Sequence, residues 1–232
     1  MSGLQRRALK LTLIALFAAG LLGFLWSGGN ELLTLDALRA NRDRLLAYTA
    51  DHYAIALVSS FLIYAVATAL SIPAGAILSL TMGMLFGRWV GTLVTVLASS
   101  VGATLLFVGA RFVLLEWAQG HIKRHPAAAR LVSGFETNAF NFLLFLRLVP
   151  IFPFWLVNLV PVVTSINVRT YFAATLIGIL PASFAYVNFG QVMGEIHDVG
   201  DLLSREVLIS LSLLGLLALA PIFFRDKRGE AP

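Results

Sequence analysis

The chain has 232 residues, of which 59% are hydrophobic and only 12% are charged. Because a soluble domain carries about 25% charged residues, this composition excludes a soluble protein and predicts an all-α integral membrane protein. The 17 basic residues outnumber the 12 acidic ones but are scattered in short loops, which argues against a nucleic-acid surface, and the absence of cysteine excludes disulfides and thiolate metal sites.

The first predicted element is an N-terminal transmembrane helix within residues 1–29. Three basic residues precede an apolar run from Leu11 to Trp26. A cleaved signal peptide begins in the same way, but this run is longer than such a peptide needs and no A-x-A cleavage site follows it. We therefore interpret the run as an uncleaved spanning helix.

Residues 30–52 are polar and are predicted to form an extracytoplasmic amphipathic segment. Thr34 is a candidate N-cap, because its side chain can accept a hydrogen bond from the first helical turn. Four leucines mark an apolar side: Leu35, Leu38, Leu45 and Leu46. A helix lying on the membrane surface and a solvated connecting helix both fit this pattern.

Residues 53–86 contain two apolar arms and are predicted to form a re-entrant hairpin, called the first hairpin below. Its tip is predicted at Pro73 and Gly75, because proline removes a backbone donor and clashes with the preceding turn. In a bilayer, broken backbone is tolerated only inside protein or beside a wet cavity. An uninterrupted spanning helix is predicted to follow at residues 91–111.

Small residues recur along this region. Gly83, Gly87 and Gly91 follow one another at four-residue intervals, and Gly102 lies farther along. Small residues let membrane helices approach closely, so these four glycines are predicted helix-packing positions. The alternative is that Gly83 and Gly87 line a cavity.

Residues 112–137 form a long polar segment and are predicted to be a cytoplasmic loop. His121 and His125 have the i, i+4 spacing that zinc ligands can have, but no third ligand lies close by. No metal site is therefore predicted.

The stretch at residues 139–166 is predicted to form a second re-entrant hairpin, called the second hairpin below. Its predicted tip residues are Pro150, Pro153 and Phe154, and its polar residues are Arg147 and Asn158. A charge at membrane depth is costly and usually marks a substrate or ion path.

Spanning helices predicted at residues 168–190 and 205–224 complete the chain. Pro73 precedes Gly91 by 18 residues, and Pro153 precedes Thr170 by 17. This similar spacing indicates two copies of a unit made of a hairpin and a helix, an inverted repeat of the kind that transporters use.

The distribution of charge predicts the topology. If both hairpins return to their own side, 11 of the 17 basic residues and four of the 12 acidic residues lie on the side of the two termini. The positive-inside rule then places both termini in the cytoplasm of a multi-pass protein, which we assign to the plasma (inner) membrane. The two hairpins enter from opposite faces, so their tips are predicted to meet near the midplane.

The runs GAILSLTMGMLFGRWVGTLVTVLASSVGATLLFVGAR and RLVPIFPFWLVNLVP resemble the VTT domain of the DedA superfamily, whose eukaryotic members were named SNARE-associated Golgi proteins. The resemblance covers about residues 50–195. The matching positions are Gly83, Phe86, Gly87, Gly91, Gly102, Phe107, Arg111, Arg147, Pro150, Pro153, Phe154, Asn158 and Pro181. It implies two facing re-entrant hairpins and the handling of lipids, either by scrambling or flipping phospholipids or by recycling polyprenyl-phosphate carriers.

The sequence departs from the family pattern in two ways. Pro161 stands where a small glycine would be expected, and no Asp or Glu lies between Tyr53 and Glu116. With no carboxylate in any predicted membrane stretch, Arg147 is left with two kinds of partner: backbone carbonyls freed by the prolines, or an anionic ligand. Arginine binds phosphate in a two-pronged manner that lysine cannot copy.

We therefore predict that Arg147, together with Arg111 and Asn158, binds a lipid phosphate. The alternatives are that Arg147 only ties hairpin carbonyls together, that Arg111 extends its charge to the membrane interface, and that Asn158 bonds the opposite tip.

The predicted function is lipid translocation through a polar site between the two hairpins. The alternative is secondary transport of a small anionic solute or ion on the same architecture. No enzymatic motif is present, and no cofactor is implied. The expected partners are membrane lipids, and a homo-oligomer is compatible with the sequence.

Overall fold

The computed structural model describes residues 3–122, 126–148, 157–158 and 160–195. The predicted C-terminal helix at residues 205–224 and the predicted tip residues Pro150, Pro153 and Phe154 lie outside this described part. Within it, every regular element is a helix.

The helices in chain order are α1 Gly3–Trp26, α2 Gly29–Leu32, α3 Leu35–Ala40, α4 Arg42–Asp51, α5 Tyr53–Ala69, α6 Gly75–Ile122, α7 Pro126–Leu148, a 3-10 helix Val160–Val163, and α8 Val168–Glu195. Of these, α1, α6 and α8 are long and apolar enough to cross a membrane. The predicted class, an all-α integral membrane protein, is confirmed.

The turn between α5 and α6 is closed by hydrogen bonds typical of a helix C-terminus. The Ser71 N–H donates to the Thr68 carbonyl (3.0 Å), and the Ile72 N–H donates to the Ala67 carbonyl (2.9 Å). Ser71 has a φ of 56°, the left-handed conformation in which many helices end. Pro73 follows and prevents the helix from continuing. The predicted break at Pro73 is therefore a defined turn.

A buried tyrosine links the two arms of the first hairpin. The Tyr64 hydroxyl donates to the Gly75 carbonyl (3.2 Å) and lies 3.0 Å from Ser79 Oγ. Ser79 Oγ also donates to the Gly75 carbonyl (2.7 Å). These bonds satisfy polar groups that would otherwise be unpaired in an apolar medium, and they hold the arms together.

Gly87 divides α6 into a short arm (residues 75–86) and a long arm (residues 88–122). Its φ of 72° and ψ of 175° lie in a region that is open essentially only to glycine. The sequence predicts that the spanning helix begins at residue 91, but the helix resumes directly at Arg88. Gln191 Oε1 accepts hydrogen bonds from the Arg88 backbone N–H (2.7 Å) and from its Nε (3.0 Å).

The long arm of α6 and helix α8 form an antiparallel pair at the centre of the described part. Gly91, near the start of the long arm, packs against Val187 near the end of α8. Near the opposite end, the rings of Phe107 and Tyr171 stack. The pair is the element on which both hairpins pack.

Each hairpin has its own hydrophobic core against this pair. The first hairpin packs against Val94 and Ala98 of the long arm. The second hairpin, including residues 157–166, packs against Phe107 and Tyr171. The two cores lie at successive levels of the same two helices.

The predicted helix-packing glycines divide into two groups. A side chain at three of them would collide with the backbone of a neighbouring helix or arm: Gly83 with Val187, Gly91 with Met82, and Gly102 with Ala65. Gly87 differs, because an added Cβ would come no closer than 3.7 Å to another residue. Its predicted packing role is therefore corrected: glycine is required there by the backbone conformation.

The segment at residues 30–52 folds onto the protein. Its N-cap is confirmed, since Thr34 Oγ1 accepts a hydrogen bond from the Ala37 N–H (3.1 Å). Its apolar side packs against the short arm of α6 and the end of α8. The buried residues of this contact are Leu38, Leu80 and Met84, and the partly buried residues that pack on them include Leu35, Leu45, Leu46, Phe189 and Met193. Arg42 Nη2 donates to the Gly194 carbonyl near the C-terminus of α8. The apolar side is thus occupied by protein rather than by lipid.

The predicted loop at residues 112–137 is largely helical. Helix α6 continues to Ile122, and α7 begins at Pro126. The segment is polar but rich in Ala, Leu, Glu, Lys and Arg, which favour helix, so its polarity does not indicate a loop. Helix α7 is interrupted at Asn138, whose Oδ1 accepts a hydrogen bond from the Asn141 N–H (3.1 Å) and caps the arm that carries Arg147.

Candidate functional site

Arg147, Asn158 and Tyr171 form a hydrogen-bonded triangle between the second hairpin and α8. Arg147 Nη2 donates to Asn158 Oδ1 (2.7 Å) and to the Tyr171 hydroxyl oxygen (2.9 Å). The Tyr171 hydroxyl in turn donates to Asn158 Oδ1 (3.1 Å). Two of the predicted site residues, Arg147 and Asn158, are therefore brought together by a residue that the sequence did not single out.

This triangle is deeply buried and leaves hydrogen-bond donors unpaired. Asn158 and Tyr171 are both 0% exposed. Within the described residues, Arg147 Nε and Asn158 Nδ2 are buried without a hydrogen-bond partner. One turn along α8 from Tyr171, the buried hydroxyl of Thr175 also lacks one. The site thus has several donors and few acceptors, an arrangement suited to an anion.

The charge of Arg147 has only neutral partners in the described part of the chain. Its hydrogen bonds go to an amide and a phenol, and no described carboxylate lies within ion-pairing distance. Breaking or omitting one partner of a buried ion pair costs about 3–5 kcal/mol, because the remaining charge is uncompensated. Bound phosphate would supply both the missing negative charge and the missing acceptors.

A glycine of α8 provides the space for the Arg147 side chain. A Cβ at Gly178 would lie 2.5 Å from Arg147 Cβ and 3.3 Å from its Cγ. Gly178 is two turns from Tyr171 on the same face of α8, so one helix face supplies both the space and a hydrogen-bond partner. In the sequence Gly178 is one glycine in a long apolar helix, which offers no signal of this role.

Four side chains form a stacked column, and two of them, Tyr171 and Arg147, also belong to the triangle. The Phe107 and Tyr171 rings are parallel within 7°, with centroids 4.2 Å apart. The Arg111 guanidinium carbon lies 4.4 Å from the Phe107 centroid, and that of Arg147 lies 5.7 Å from the Tyr171 centroid. Each cation is therefore within the range of a cation–π interaction, and the column links the two arginines.

Arg111 bonds backbone carbonyls, which argues against its predicted phosphate-binding role. Its Nε donates to the Val162 carbonyl (3.2 Å) and its Nη1 to the Ile166 carbonyl (2.6 Å). Its Nη2 donates to the carbonyls of Pro161 (3.1 Å) and Thr164 (2.5 Å). Four of the five guanidinium N–H groups are thus used by the corner before α8, so the residue fixes backbone instead of binding ligand.

This carbonyl-binding role corrects the prediction and reassigns one of its alternatives. Carbonyl binding was the alternative considered for Arg147, but Arg111 performs it. The two residues differ in position: Arg111 is in the long arm of α6 and reaches across to the second hairpin, whereas Arg147 is in the hairpin itself. Sequence spacing does not show which arginine faces the open carbonyls.

The other predicted site residues lie elsewhere. Pro73 and Gly75 form the turn of the first hairpin, whose core is separate from the core that contains Tyr171. The predicted meeting of the two hairpin tips involves the tip of the second hairpin, which lies outside the described part. Over residues 3–122, 126–148, 157–158 and 160–195, no cluster of three or more potential metal-ligating side chains is present.

The fold and the buried cationic site define an all-α integral membrane protein whose described part is built on an antiparallel helix pair. Residues 72–192 match the VTT domain model. Since this match covers more than half of the sequence, the chain belongs to the VTT-domain family, and the predicted membership of the VTT/DedA superfamily is confirmed.

Several eukaryotic membrane proteins are similar to this chain. The transmembrane protein 41 homolog of Dictyostelium discoideum is 29% identical over 189 residues, which is 80% of this chain and 56% of that protein. The transmembrane protein 41 homolog of Caenorhabditis elegans is 26% identical over 79% of this chain and 75% of its own length. Transmembrane protein 41B of Xenopus laevis is 24% identical, with 83% and 70% covered. No solved structure matches.

Proposed function

We propose that the chain translocates membrane lipids, in the manner of a scramblase or flippase, and that Arg147 binds the phosphate of a phospholipid or a polyprenyl phosphate. The observation that carries this proposal is a buried guanidinium with neutral partners and an unpaired Nε. The charge-assisted, two-pronged contact of arginine with phosphate would satisfy both deficits.

The energetics favour a transient anionic partner over a permanent one. Asn158 and Tyr171 orient the guanidinium without neutralising it. A fixed carboxylate would pair permanently with Arg147 and block the site. A lipid phosphate would instead bind the preorganised donors reversibly and then dissociate. The process needs no chemical step and no cofactor.

Two of the hairpin arms are short enough for a re-entrant arrangement. The short arm of α6 has 12 residues, and the arm of α7 after Asn138 has ten. At about 1.5 Å per residue these arms reach roughly 15–18 Å, which is about half of the ~30 Å hydrocarbon core. We therefore retain facing hairpins in the plasma (inner) membrane, with both termini cytoplasmic, as part of the proposal.

The test is lipid translocation in liposomes that contain the purified chain and a fluorescent phospholipid. Arg147→Ala and Arg147→Lys are expected to slow translocation at least about tenfold, because a hydrogen bond to a charged group contributes about 1.5–3 kcal/mol. Arg169→Ala is the matched control, since Arg169 is an exposed arginine at the start of α8. Unchanged rates in folded Arg147 variants would refute the phosphate role.

The lipid used distinguishes phosphate recognition from a general defect. The unsubstituted chain and the Arg147→Ala variant should translocate a fluorescent glycolipid without phosphate at similar rates. Uptake of inorganic phosphate that depends on Arg147, without any lipid movement, would instead establish the alternative, a transporter of small anions.

A further inference from the structure

A partly open apolar groove lies between α1, the turn of the first hairpin and α6. Its volume is about 570 Å³, within the range of about 300–1,000 Å³ that is typical of small-molecule sites. Its walls come from residues within 13–17, from residues 69–71 and from the one face of residues 105–114 that carries Leu105, Gly109 and Val113. Apart from Ser71, no lining residue has a polar side chain. Water and ions would therefore gain little from entering it.

The groove follows from the way α1 joins the bundle. The C-terminal half of α1 contacts the first hairpin, where Gly20 approaches Leu70 and where Leu21 and Phe24 pack against the core. The middle of α1, at residues 13–17, faces residues 105–114 across the groove. On the α6 wall, a Cβ added to Gly109 would meet no other residue within 4 Å, so the space beside it is open.

We propose that this groove binds one hydrocarbon chain of a membrane lipid. Two of its walls belong to membrane-spanning helices, so the groove opens into the bilayer interior. Acyl chains are the abundant apolar material there, and the lining has no charge with which a polar solute could pair. The inference concerns hydrocarbon binding alone and does not depend on the translocation proposed above.

The bound chain would lie next to the helix that supports the candidate site. The groove uses one face of residues 105–114, and the neighbouring face carries Phe107 and Arg111, which contact Tyr171 and the corner at residues 161–166. A lipid in the groove is thus held by the same stretch of α6 that stacks on Tyr171 and fixes the corner at residues 161–166.

The test is photolabelling of the full chain in phosphatidylcholine vesicles with a phosphatidylcholine whose acyl chain carries a diazirine. Labelling of residues 69–71 and 105–114, located by mass spectrometry, is expected to saturate and to be displaced by unlabelled lipid. Labelling at a lipid-exposed position such as Leu93, which is 60% exposed, should rise in proportion to probe content. Non-saturable labelling of the groove would overturn the proposal.

Substitutions at Gly109 fill the groove without disturbing a contact. Gly109→Leu and Gly109→Phe should lower saturable labelling roughly tenfold or more, because each buried methylene contributes about a fourfold factor in affinity and at least two would be displaced. Gly109→Ala should have a smaller effect. Gly23→Leu is the matched control, since Gly23 also has open space around it but lies in α1 outside this groove.

Two results would contradict the site. One is unchanged saturable labelling in folded Gly109→Phe protein, and the other is crosslinking of the groove residues to a second copy of the chain instead of lipid. Saturation and competition in the unsubstituted chain remain a test even if Gly109→Phe does not fold. Failure here leaves the effect of Arg147 variants on translocation untouched.

Discussion

Two arginines of the core use their donors in opposite ways. Arg111 directs four N–H groups to carbonyls of one corner and stacks on Phe107. Among the described residues, Arg147 bonds only to Asn158 and Tyr171, and its Nε has no partner there. The first pattern is that of a residue which stabilises backbone, and the second is that of a residue prepared for a ligand.

These patterns predict different responses to lysine. Arg111→Lys should destabilise the protein by roughly 2–4 kcal/mol, because bonds to charged groups contribute about 1.5–3 kcal/mol each and an ammonium cannot reproduce the planar fork. Compared with Arg111→Lys, Arg147→Lys should change stability less and the translocation rate more. Thermal unfolding followed by tryptophan fluorescence and the liposome assay measure the two effects. Equal stability losses would argue against the distinction.

At the level of elements, two unusual backbone positions define the hairpin and the break in α6. Ser71 ends α5 in the left-handed region, which is unfavourable for a residue with a Cβ. Gly87 occupies a conformation that is essentially glycine-only. Gly87 is not limited by space, since an added Cβ there would make only ordinary contacts. Its preference for glycine is therefore conformational.

Reciprocal substitutions should have opposite effects on stability. Ser71→Gly is expected to stabilise the fold by about 1 kcal/mol, because glycine adopts positive φ without the Cβ penalty. Gly87→Ala is expected to destabilise it by about 1–3 kcal/mol. Chemical denaturation in detergent micelles gives both values. A destabilised Ser71→Gly variant would mean that the serine side chain contributes more than its backbone strain.

At the level of the whole molecule, charged residues collect at two opposite ends of the central pair. The basic residues of α1 precede residues 13–17, which face residues 105–114 of α6. The segment at residues 30–52 packs at the other end, where Arg42 and Arg88 contact the end of α8. The proposed topology, which follows the positive-inside rule, places the first end in the cytoplasm.

The absence of cysteine allows this orientation to be tested directly. Ala47→Cys and Arg169→Cys lie on exposed residues at the two opposite ends. In intact cells, a membrane-impermeant maleimide should label the cysteine at position 47, and it should label that at position 169 only after permeabilisation. The reverse pattern would invert the proposed topology, and labelling of both in intact cells would contradict a two-sided arrangement.

The sequence by itself determined the membrane class, the Thr34 cap, the break at Pro73 and the identity of Arg147 as a charge without an acidic neighbour. Hydrophobicity, proline and capping act over a few residues, so they can be recognised in a linear pattern. Tertiary structure alone decided that Arg111 binds carbonyls, that Gly178 makes room for Arg147, and that Tyr171 joins Arg147 to Asn158. Those roles depend on which faces of separate helices meet. Helix packing sets these contacts between residues far apart in the sequence, and a local sequence pattern does not show them.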